Sequence, residues 1–148
     1  MAGVDLQGFD GLLRGLKKVS SAKAMRELKK ETLTPAAEPI RAEAARAMPQ
    51  DQGVVAAAVK IRRGKPAGPG DYNVIVGVFS QRKHPRETGD PIATVAQVAA
   101  RLEVGTAHTP AVPTLQHALD TKSTAATRII GPLLGRNIES KLKKQSRG

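Results

Sequence analysis

Cysteine and tryptophan are both absent from these 148 residues, and the aromatics amount to one Tyr and two Phe. Without cysteine there is no disulfide framework, no thiolate nucleophile and no Cys-based zinc site, a composition suited to a reducing compartment. So few aromatics supply little of the large, specific packing that usually rigidifies a core. No apolar run approaches the ~20 residues needed to cross a bilayer, and the N-terminus carries no signal-peptide-like apolar stretch. The expectation is a soluble, non-secreted chain with no membrane partner. Carboxylates are the minority charge: 24 Lys and Arg against 13 Asp and Glu leave a net +11. Such an excess points to polyanionic partners or to acidic protein surfaces.

What is present fits one domain over residues 1–148, long enough to bury roughly 70% of its unfolded surface. An Ala/Val/Leu core leaves a monomer marginal, and burial against neighbouring copies offsets that. Val4–Phe9 alternates weakly, as a short edge strand does, and Asp10 can cap a short helix carrying Leu12, Leu13, Leu16 and Val19. From Ala22 to Ala47 the pattern is helical, with Leu28, Leu33, Ile40, Ala44 and Ala47 on its inner side. Pro35 and Pro39 predict either a bend or two helices meeting near Thr34–Pro35. Val54–Arg63 ends in a strand, V-K-I-R-R, that alternates apolar and basic residues. A Pro/Gly turn over Lys65–Gly70 leads to Tyr72–Phe79, the clearest strand, and the two should pair antiparallel. Apolar residues on both of its faces suggest a central strand, or one covered by helix on one side and by a neighbouring subunit on the other. Ser80–Pro91 is polar and irregular, an exposed loop of the kind that stays mobile or carries partner contacts. Ala93–Leu102 reads as a helix with Val95, Val98, Ala99 and Leu102 along one side. Thr114–Lys144 is a long amphipathic helix with Thr114 as its N-cap. Its apolar positions are Leu115, Leu119, Ile129, Ile130, Leu133, Leu134, Ile138 and Leu142. Gly131–Pro132 should kink it, and residues 143–148 should fray. The fold class is α+β, a small antiparallel sheet packed by N-terminal helices and a long C-terminal helix.

His108 and His117 lie nine apart across a proline-bent turn, a separation that matches no metal-ligand spacing, and His84 stands alone. A Ser-His-Asp triad assembles from distant positions, so spacing neither supports nor removes one, but no G-x-S-x-G elbow is present. In Gly64–Gly70 the prolines remove donors a phosphate nest needs, which favours a plain turn. Glu103 reads as a general base or, more simply, as a residue that caps or orients the turn around Gly105 and Thr106. Gly105 should adopt a positive φ angle. No cofactor, metal ligand or catalytic residue is assigned. Basic residues crowd the first helices (Lys17, Lys18, Lys29 and Lys30 among them) and the loop (Arg82, Lys83 and Arg86, beside His84). They form either a solvated face or a binding face. Stacking on bases has little to work with, since only Phe9, Tyr72 and Phe79 are available.

One segment carries more than the rest. Leu102–Leu119 reads L-E-V-G-T-A-H-T-P-A-V-P-T-L-Q-H-A-L, a Glu-x-Gly-Thr turn, two prolines (Pro110 and Pro113) and then a helix. It resembles the signature of the HK97 gp10-like family of tailed-phage proteins, F-x-E-F-G-T followed by P-A-x-P-F-L-x-x-A-L. Val4–Leu16 is similar to that family's opening strand and helix. Ala47–Arg63 is similar to its A-P-x-x-T-G-x-L-R-x-S-I-K-V block, with Pro49, Gly53 and Ile61 in register. Departures are Gln52 for Thr, Ala58 for Ser, Val104 for an aromatic, Thr114 for Phe, and Gln116-His117 for Arg-Pro. The resemblance implies a non-enzymatic virion protein at the neck or head-proximal tail, assembled in the host cytoplasm. It implies a closed ring of copies of itself, six being the expected number, between head-closure (connector) proteins and the tail tube or terminator, with double-stranded DNA passing through. A rival reading of the charge is a small basic DNA-binding protein using non-specific phosphate contacts.

Overall fold

The computed structural model describes residues 20–50, 53–84 and 93–147, and the fold is α+β as expected. The expected Val4–Phe9 strand and Asp10 helix, together with Lys17, Lys18 and Arg86, lie outside the described residues. Helix α1 (Ala22–Ala36) starts at Ser21, whose hydroxyl accepts from the Ala24 amide at 3.2 Å. A second helix, α2 (Glu38–Ala47), follows after the single residue Ala37. Of the two arrangements the sequence allows, two helices is the observed one, with the joint at Ala37 instead of Thr34–Pro35. Pro39 explains the position: it has no N–H to give the Pro35 carbonyl, yet is tolerated in the first turn of the next helix.

A single helical turn, α3 (Val54–Ala57), leads into β1 (Val59–Arg63), which pairs antiparallel with β2 (Val74–Val78). Val59 faces Val78, Ile61 faces Val76 and Arg63 faces Val74, so these six share one side of the hairpin. Val76 and Val78 pack on the core from that side. Lys60 and Arg62, opposite Gly77 and Ile75, occupy the other. Of the two readings of β2, the central strand is not found among the described residues, where the sheet has two strands and both outer edges are unpaired. The hairpin loop folds back on α1, where a Cβ on Gly70 (φ +74) would sit 3.2 Å from the Ala22 Cα, and Asp71 is paired to Lys29 at 3.4 Å. Tyr72 is buried beside this closure, with the Arg63 guanidinium 5.6 Å from its ring centre.

Helix α4 (Val95–Val104) starts two residues later than expected and ends two later. Its start is a reciprocal cap: the Thr94 hydroxyl accepts from the Gln97 amide and the Gln97 side chain accepts from the Thr94 amide. Helix α5 (Thr114–Ser146) is 33 residues, about 50 Å long. It is one helix through Gly131 and Pro132, and it runs past residue 143, where fraying was expected. The α1–α2 pair lies antiparallel along it. Lys141 meets Glu27 and Glu31, Asn137 donates to the Thr32 hydroxyl, and Lys122 meets Glu43.

Small residues set the core. Ala44 of α2 and Ala118 of α5 are both 0% exposed, which lets the two helices approach closely where larger side chains would hold them apart. Met48, Val55, Val59, Val95 and Ala99 complete the cluster. Leu119 is a correction: it is 47% exposed, and the inward positions of this helix half are Ala118 and Ala126. The helix turns its small residues towards α2, which rotates Leu119 outwards.

Among the described residues three carboxylates are held below their ordinary pKa. For Glu43 the cause is foremost the Arg46 hydrogen bond, working against desolvation and aided by the charges of Arg46, Lys122 and His117. For Glu38 it is the Arg41 hydrogen bond, and for Asp71 the Ala67 amide followed, against desolvation, by Lys29. A carboxylate lowered in the folded state favours folding above its unfolded value and loses that contribution as pH falls through the folded one. Stability is therefore expected to decline as pH drops below the ordinary values of 4.5 for Glu and 3.8 for Asp. Urea midpoints across the acid range check this, and Glu43→Gln should flatten part of the decline.

Candidate functional site

Two places gather the residues of interest. The first is the junction between α4 and α5, where all five signature residues lie. Gly105 ends α4 with φ +75 and ψ 179, a region that side chains avoid, so the expected positive φ is present. The chain then makes a tight turn in which the Thr106 amide donates to the Thr109 carbonyl at 2.8 Å and the His108 amide to the Thr106 hydroxyl. It passes Pro110 and returns, the Val112 amide donating to the Leu102 carbonyl at 2.6 Å. Pro113 stands at the cap position of α5 and has no capping side chain.

Glu103 does that work from a distance. Its carboxylate accepts from the Leu115 amide at 3.0 Å, the Gln116 amide at 2.9 Å and the Thr114 hydroxyl at 3.4 Å. Glu103 was expected to cap or orient the Gly105–Thr106 turn; its carboxylate caps the start of α5 instead. Thr114 is corrected too: it is the first helical residue, not the cap, and its buried hydroxyl lies 3.2 Å from the Met48 sulfur. A negative side chain at a helix N-terminus satisfies orphan amides and favours the helix dipole. Replacing Glu103 by Ala is expected to cost about 2 kcal/mol, the upper end for a lost N-cap, with Gln recovering part of it. Thermal melts of the two variants check the order. Apolar surface stays open around the junction, with Val104 77% exposed and Val112 and Leu119 also open.

The second place is a groove of about 960 Å³ beside the hairpin's outer face. Lys60 and Arg62 enter it from β1, and Arg82 and Lys83 from the segment after β2. That segment is not wholly a free loop. The Ala96 amide donates to the Ser80 carbonyl, the Val95 amide to that of Arg82, and the His84 amide to that of Ala93. Ser80–His84 is thus pinned to the start of α4, a correction to the mobile loop expected over 80–91; residues 85–92 lie outside the described set. Gly77 leaves room for the Phe79 ring, whose Cζ lies 3.3 Å from where a Gly77 Cβ would sit. The Arg62 guanidinium stacks 4.9 Å from that ring's centre. None of the described ion pairs uses Lys60, Arg62, Arg82 or Lys83.

Of the other residues singled out, Lys29 is tied to Asp71 and Lys30 is exposed on α1. His84 is half-buried, its Nδ1 having no partner among the described residues. His108 and His117 are exposed and apart from it in sequence and element. Among the described residues no three His, Asp or Glu side chains converge as a metal site would require. No described helix is long and apolar enough to cross a membrane. Sequence reasoning placed the basic binding face on the first helices and the loop and missed Lys60 and Arg62. The signal was there in V-K-I-R-R, where every second residue of a strand is a cation. Comparison with known proteins returns no matching family model, no similar curated protein and no similar solved structure.

Proposed function

We propose that this chain is a structural ring subunit of the neck of a tailed phage or phage-like particle, joining the head-closure complex to the tail tube and catalysing no reaction. The observation that carries the ring is the hairpin with two unpaired edges among the described residues. An open strand edge is a template for further pairing. Rotation about a ring axis keeps strand directions, so β2 of one copy meets β1 of the next antiparallel, as within the hairpin. Repeating that heterologous contact closes a ring, six copies being the expected number, and leaves no edge exposed. The neck assignment rests on the resemblance of Leu102–Leu119. It gains support because Glu103, Gly105, Thr106, Pro110 and Pro113 build one junction, with Val104, Val112 and Leu119 open for the adjoining rings.

The absence of cysteine makes the ring directly testable. Lys60→Cys protein mixed with Ile75→Cys protein should give a disulfide-linked dimer on mild oxidation, while either alone gives far less. Electron microscopy of particles carrying a labelled subunit should place it at the neck. Equal cross-linking of the single variants would replace the head-to-tail contact with a two-fold one, and a normal neck lacking this chain would end the assignment.

A further inference from the structure

We infer that the hairpin groove is a phosphate-binding surface for double-stranded DNA, held by Lys60, Arg62, Arg82 and Lys83 without reading sequence. Four cations enter one groove of about 960 Å³ that no carboxylate lines among the described residues, and none of the described ion pairs involves them. Grouping like charges without counter-charge raises the energy of the isolated protein and lowers that of a complex with a polyanion. The groups are also fixed in place. Lys60 and Arg62 sit on a paired strand, Arg62 is stacked on Phe79, and the backbone of Arg82 is hydrogen-bonded to Val95. A guanidinium whose flat face is occupied presents its N–H edge, the edge that grips phosphate oxygens in pairs.

The occupant is neither another copy of the chain nor an acidic protein surface. A copy seated groove to groove would set four cations against four cations, with no carboxylate among the described lining residues to meet them. Protein interfaces centre on exposed large apolar anchors. Here the only large aromatic of the lining lies under Arg62, and the remaining apolar lining is Val and Ala. A phosphodiester backbone needs cations on a rigid support and no such anchor. The inference goes beyond the neck reading. It rests on that reading only for where the duplex comes from, and it relocates the basic binding face from the first helices to the hairpin.

Fluorescence anisotropy with a labelled mixed-sequence duplex over a salt series tests it, comparing Arg62→Glu/Arg82→Glu with Lys30→Glu/Arg128→Glu. Both double variants change the net charge equally, and the second pair is exposed outside the groove. Wild type should show log K falling with log salt at a slope of about −3 to −4, as four phosphate contacts require. The groove variant should bind at least tenfold more weakly than the control variant and lose about 2 from the slope. Circular dichroism verifies folding, and Arg62→Gln/Arg82→Gln should shift binding the same way by less. Equal losses in both charge-reversed variants overturn the inference, leaving only diffuse attraction by the net charge. Binding of poly-glutamate through the groove with no duplex binding overturns it in favour of an acidic protein partner. Groove-dependent duplex binding by a protein that forms no ring would instead sustain it and remove the neck reading.

Discussion

Replacing Gly105 with alanine is expected to lower stability by about 3 kcal/mol, a melting point about 6–12 °C below wild type. Two costs combine. The backbone stands at φ +75 and ψ 179, a conformation essentially reserved for glycine. A Cβ there would also lie 2.8 Å from the Ala111 amide nitrogen and 3.0 Å from the Thr109 carbonyl oxygen, both backbone atoms that have no rotamer to yield. Gly131→Ala is the internal comparison, since it lies within α5 with nothing within 4 Å of the added carbon. It should stabilise by about 0.5–1 kcal/mol through helix propensity. Circular dichroism melts of the two variants should move in opposite directions. A Gly105→Ala protein melting with wild type would show that the chain does not take this path between α4 and α5.

Met48→Ala is expected to cost about 3 kcal/mol, within the usual range for truncating a buried methionine. Met48 is 1% exposed and stands where α2 ends, against Val55 and Val59, with its sulfur beside the Thr114 hydroxyl at the start of α5. The surrounding core is Ala and Val, whose short side chains have no reach to fill the gap. Met48→Leu, of similar volume, should cost less than about 1.5 kcal/mol. Urea denaturation of the pair separates volume from chemistry. A loss under about 1 kcal/mol for Met48→Ala would mean that the core closes around the space and that Met48 does not hold the layers apart.

Much of the architecture was legible in local pattern. The strand pair followed from V-K-I-R-R and Y-N-V-I-V-G-V-F flanking a Pro/Gly turn, and it pairs antiparallel as expected. The long last helix and the positive φ of Gly105 were also readable, the first from apolar spacing and the second from a Glu-x-Gly-Thr turn. What escaped depended on distance. Thr114 carries the right side chain for a cap, but an acid eleven residues upstream reaches the same amides and leaves the hydroxyl free to turn inwards. Leu119 looked like core because leucine usually is; only the approach of α2 at Ala44 selects Ala118 as the inward residue. The groove was hidden for a similar reason. Lys60 and Arg62 come from one element and Arg82 and Lys83 from another, and backbone hydrogen bonds to α4 fix where the second pair lies.

The burial of Tyr72 has a practical consequence. With no tryptophan in the chain and a single tyrosine, near-ultraviolet emission comes from one phenol at the loop end of the hairpin, next to a residue clasped by α1. The protein therefore carries its own label-free optical probe, sited where strand ribbon and helix layer meet. A change in that signal during assembly, or on titration with a polyanion, reports the ribbon itself and not the average of the whole molecule.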